Sequence, residues 1–75
     1  MKYARQKKVA QELDARIPRA RVQSEQDLYQ NIFRGEVNAR CLHGESMDDA
    51  IAGATARIRA SHFPAFVPIV LPPFP

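Results

Sequence analysis

At 75 residues, 45% hydrophobic, 25% charged and 8% aromatic, the chain has room for one small folding unit and none for a cofactor-binding fold. The composition is that of a globular protein rather than a wholly disordered one. The single cysteine, Cys41, excludes an intramolecular disulfide, no stretch approaches the roughly 20 apolar residues of a membrane span, and no apolar run follows the basic start. These features predict a soluble cytoplasmic protein, in the host cytoplasm if a virus encodes it.

The net charge of +3 hides an uneven distribution. Residues 1 to 21 carry seven basic side chains (Lys2, Arg5, Lys7, Lys8, Arg16, Arg19, Arg21) against Glu12 and Asp14. Residues 24 to 49 set Arg34 and Arg40 against Glu25, Asp27, Glu36, Glu45, Asp48 and Asp49. Such a basic arm suits phosphate, an acidic protein, or the acidic middle of its own chain or a twin.

Residues 2–17 contain helix-favouring Ala, Arg, Gln, Lys, Glu and Leu, and Pro18 forbids continuation, so a first helix should stop near Arg16. Its apolar stripe (Val9, Ala10, Leu13, Ile17) is thin and confined to the second half, while Lys2, Arg5 and Lys8 recur every three residues on another side. Residues 18–23 read as an extended connector, with Ala20 and Val22 opposite Arg19, Arg21 and Gln23.

Ser24 marks the start of a second helix over 25–43, with Glu25 and Asp27 in the first turn where the helix dipole favours negative charge. Leu28, Ile32, Gly35, Ala39 and Leu42 line one edge of its apolar stripe and Tyr29, Phe33, Val37 and Cys41 the adjacent edge. The pattern predicts a broad buried face, with Gln30, Asn31, Arg34 and Asn38 pointing away. Gly35, costly in a helix, would let another backbone approach. Gly44 suits a left-handed helix terminus. Ser46 then caps a third helix over 47–61, so the two helices form a hairpin. Met47, Ile51, Ala54 and Ile58 make its apolar edge, and its many alanines make it slender.

Residues 63–75 carry no charge, five prolines and seven large apolar side chains, which excludes helix and favours an extended path. Full burial of one large apolar side chain is worth about 1.5 to 3 kcal/mol, so this segment has to find cover. That cover is either its own body or that of a twin, or a groove on another protein.

Chemistry-bearing patterns are sparse. Cys41 and His43 stand two apart on a helix and point to nearly opposite sides, so they form no dyad. Together with Glu45, Asp48, Asp49 and His62 they match no metal-ligand spacing. Phosphate loops, serine elbows and paired catalytic carboxylates are absent from the sequence. The expectation is therefore a protein with no catalytic residues, no metal and no cofactor. A helix-turn-helix is rejected because Glu45, Asp48 and Asp49 occupy the approach to DNA phosphate.

Gly44, Glu45 and Ser46, followed by Ala50, Ile51 and Ala54 and preceded by the alternating Arg19, Arg21 and Gln23, resemble the ribbon-helix-helix regulators over residues 19–58. That resemblance implies a dimeric DNA-binding regulator in which the ribbon residues read DNA, and it stands as the alternative. The principal expectation is an all-α domain over 1–62 with an extended tail over 63–75, acting as a non-enzymatic protein-interaction module. Phe63, Phe66, Ile69, Leu71 and Phe74 would be its apolar anchors, with Lys2, Arg5, Lys7, Lys8, Arg19 and Arg21 supplying electrostatic attraction. Its partner would be a larger protein or complex, with nucleic acid and a second copy also open and no membrane. A modulator or inhibitor of a host assembly, or a small component of a viral or plasmid-encoded complex, fits that description.

Overall fold

Helix α1, Lys2–Arg16, ends one residue before the Ile17–Pro18 junction, where the last-turn Ile17 amide still donates to the Leu13 carbonyl at 2.7 Å. The structure, a computed structural model, describes residues 2–73, and side chains from Ala4 onward. Two further helices follow, α2 over Glu25–Leu42 and α3 over Met47–Ser61. All three lie within one residue of their expected bounds, and the described residues contain no strand.

Both serine caps form as their chemistry requires. Ser24 Oγ accepts from the Asp27 amide at 3.2 Å, and Ser46 Oγ accepts from the Asp49 amide at 3.1 Å. At the other end of α2, Gly44 adopts φ +107°, which a side chain would resist. The Glu45 amide then donates to the Arg40 carbonyl and the Gly44 amide to the Cys41 carbonyl, closing a Schellman motif that turns the chain into α3.

Helix α2 is the centre of the molecule. Helices α1 and α3 each pack against it, and among the described residues their backbones do not pack against each other. Val9 and Leu13 from α1, with Ile17 just after it, meet Phe33, Val37 and Cys41 from α2 and Ala50, Ala54 and Ile58 from α3 in one apolar cluster. The slender face of α3 permits this approach, because Ala50 and Ala54 have no exposed surface. Phe66 completes the cluster from the tail, fully buried against Phe33 with ring centroids 5.6 Å apart. Residues 66–73 therefore touch all three helices, and the segment covers the core that α1 and α3 leave open over α2.

The expected orientation of α2 is corrected on both sides. Gln30, expected to point outward, is 1% exposed, and Asn31 and Arg34 also face the body. Leu28, Ile32, Gly35 and Ala39, expected in the core, are exposed. The cause is the company α2 keeps: two extended segments lie along it, their peptide groups need partners, and amide and guanidinium side chains supply those where aliphatic ones cannot. Among the described residues Gly35 consequently meets no other segment, since a Cβ placed there would find no atom beyond its own stretch of helix within 4 Å.

Candidate interaction surface

The extended tail is held by a ladder of side chains. Gln26 donates through Nε2 to the Val67 carbonyl at 2.7 Å and accepts from the Val67 amide at 3.3 Å. One helical turn on, Gln30 treats Ile69 in the same way, at 3.0 and 2.9 Å. The Leu71 amide then donates to the Arg16 carbonyl at 2.7 Å, and Arg16 Nε donates back to the Leu71 carbonyl at 2.7 Å. Four residues of helix rise about 6 Å, and two residues of polyproline-like chain also advance about 6 Å, so glutamines at i and i+4 match alternate residues of an extended chain. The tail prolines 64, 68 and 72 avoid the positions whose amides are used.

The same alternation leaves Val67, Ile69 and Leu71 with their backbones tied inward and their side chains in water, exposed by 63, 51 and 45%. Gln30 also donates to the Pro18 carbonyl at 3.1 Å, which brings the connector beside the tail. Asn31 clamps the connector from both sides, accepting from the Ala20 amide at 2.9 Å and donating to its carbonyl at 3.0 Å. Arg19 and Arg21, on this connector, are exposed. Val22 is exposed too, so the connector does not bury one of its two expected sides.

The expected anchors are thus divided. Phe66 lies in the core of its own chain, where no partner reaches its ring. Phe63 is half-buried, stacked on Tyr29 at 5.6 Å. Ile69 and Leu71 face solvent, and Phe74 lies outside the described residues. Val67 belongs with the exposed pair but was not among the expected anchors; its signal in the sequence is the period of two shared by 67, 69 and 71.

The basic residues divide as well. Arg5, expected to attract a partner, donates to the Cys41 carbonyl at 3.1 Å and so caps the negative end of α2. Lys7 and Lys8 are exposed on α1, and the Lys2 side chain lies outside the described side chains. Arg16 reaches Asp48 at 3.6 Å, joining α1 to the start of α3 while it holds the tail. Arg34 is engaged by Asp14 and by the Ile17 carbonyl, so the open cleft of about 290 Å³ lined by Asp14, Arg19, Arg34 and Asn38 has one of its two cations neutralised.

Cys41 is buried, and that burial, reinforced by the negative charges of Glu12 and Glu45 and opposed by Arg5, pushes its thiol above the ordinary value. A protonated, covered sulfur is a packing group rather than a nucleophile. Among the described residues no cluster of three or more His, Cys, Asp or Glu side chains could hold a metal ion, and no helix is long and apolar enough to cross a membrane. Comparison with known protein families, curated proteins and solved structures returns no match for this chain.

Proposed function

We propose that the protein is a non-enzymatic interaction module that docks a larger protein through the outward row Val67, Ile69 and Leu71. The observation that supports this reading is the pairing of a fixed backbone with bare aliphatic side chains on alternate residues. A segment needed only to close the core would gain by carrying polar groups at those three positions, whereas a docking edge gains from apolar side chains whose ordering cost is already met by folding. Exposed Arg19 and Arg21 on the neighbouring connector suit an apolar groove bordered by acidic residues. Modulation of a larger assembly, in a host or within a viral or plasmid-encoded complex, is the role we assign to such docking.

The regulator reading is weaker in this arrangement, because Ala20, central to the would-be ribbon, has both its peptide groups engaged by Asn31. The deciding experiment compares the wild-type chain with a Val67→Ser, Ile69→Ser, Leu71→Ser variant that retains its helical circular dichroism. Loss of a specific copurifying protein supports the docking edge. Unchanged capture refutes it, and steeply salt-dependent duplex binding that disappears in Arg19→Ala, Arg21→Ala would install the DNA regulator instead.

A further inference from the structure

Helix α2 carries a second apolar face that the described residues cover only in part. Leu28 and Ile32 are each 45% exposed, and Gly35 and Ala39 continue the row in solvent. Their spacing of four, three and four residues is that of a two-helix seam. The row lies opposite Gln26, Gln30, Phe33 and Val37, which face the body. Gly35 sharpens the point: glycine within a helix costs up to about 1 kcal/mol relative to alanine. Apart from its own stretch of helix, no atom of the described residues lies within 4 Å of where its Cβ would be, so no close approach among them calls for it.

We propose that this row is a homodimer seam on which α2 packs antiparallel against α2 of a second copy. Size complementarity selects the occupant and its direction. The large side chains, Leu28 and Ile32, fill the first half of the row, and the small ones, Gly35 and Ala39, fill the second. Antiparallel pairing sets Leu28 against Ala39 of the other copy and Ile32 against Gly35, so each large side chain enters the space beside a small one. Parallel pairing would oppose bulk to bulk at one end and leave a gap at the other.

Hydrogen-bonding groups have the same polarity as size: a carboxylate acceptor at one end of the row and an imidazole donor at the other. Glu25 opens α2 and His43 follows it on the same flank of the row, and both are exposed. The antiparallel register brings Glu25 of each copy beside His43 of the other, and it also opposes the two helix dipoles. A seam of four positions per copy covers less than the roughly 1,200 Å² of a stable complex, so the dimer is weak and concentration-dependent.

Sedimentation equilibrium of the full chain between about 10 μM and about 1 mM, the range for so small an interface, tests the seam. The wild type should pass from monomer toward dimer. Ile32→Glu should weaken association at least tenfold while changing the melting midpoint in dilute solution far less than Phe66→Ala does, because Ile32 lies outside the buried cluster. Glu25→Lys should also weaken it, and adding His43→Glu should restore it. A wild type that stays monomeric at the top of the range, an Ile32→Glu variant that dimerises like wild type, or a charge exchange that fails to restore association would overturn the antiparallel seam.

Discussion

Two extended segments lie along α2, and they are secured differently. The connector, residues 18–23, is tied by Asn31 at Ala20 and by Gln30 at Pro18, and it is flanked by helices at both ends. The tail, which follows α3, adds to its ladder of hydrogen bonds a fully buried phenylalanine. The six-residue connector, short and polar, is fixed between two helices, so polar clamps suffice; the tail carries large apolar side chains and gains more from burying one of them. In both cases a helix does what a neighbouring strand does elsewhere, offering paired donors and acceptors to an extended backbone through amide side chains.

The largest break in that comparison is removal of the tail. Cutting after His62 should abolish the cooperative thermal transition, since it uncovers Phe33 and the rest of the core, and Phe66→Ala alone should cost about 3 to 5 kcal/mol in chemical denaturation. A truncated chain that melts like the full one would mean that the tail contributes no stability. Next comes Gln30→Ala, which strips partners from the Pro18 carbonyl and from both peptide groups of Ile69 and should cost about 1 to 3 kcal/mol. Hydrogen exchange should show the Ile69 amide losing protection.

Asn31→Ala touches only the connector and should cost less, about 1 kcal/mol, with the Ala20 amide exposed and the Ile69 amide still protected. Equal loss at both amides would show that the two segments are held as one unit. The smallest expected effect is that of Cys41. Its raised pKa favours the protonated thiol in the fold, so its contribution is complete below the ordinary thiol value and is lost as the pH rises through the higher folded one. Alkylation at neutral pH should be slow and should follow global opening, and fast labelling of the native protein would disprove that burial.

Local chemistry made much of the fold legible. Pro18, Ser24, Gly44 and Ser46 mark the helix ends through effects that act within a few residues, and the observed caps and the positive φ at Gly44 follow from them. The composition of the tail predicts cover for its apolar side chains, and Phe66 finds it fully and Phe63 and Val70 in part, while Val67, Ile69 and Leu71 are left exposed. The orientation of α2 was legible on one edge, where Phe33, Val37 and Cys41 are buried as expected, and not on the other, because hydrophobic periodicity assumes that a helix buries all of its apolar face. Here Gln26, Gln30, Asn31 and Arg34 are turned inward by peptide groups from residues far away in the chain.

Sequence alone thus determined where helices begin and stop and which side chains require burial as a class, because these depend on backbone propensities and transfer energies that each residue carries with it; the extended path expected for 63–75 begins only after a turn over Phe63–Phe66. Tertiary structure decided which apolar groups were buried: Phe66 inside, Val67, Ile69 and Leu71 outside, and Leu28 and Ile32 left bare. The reason is that hydrogen bonds are directional and hydrophobic burial is not, so the peptide groups of the tail and connector fixed the rotation of α2, and the apolar side chains took the places that remained.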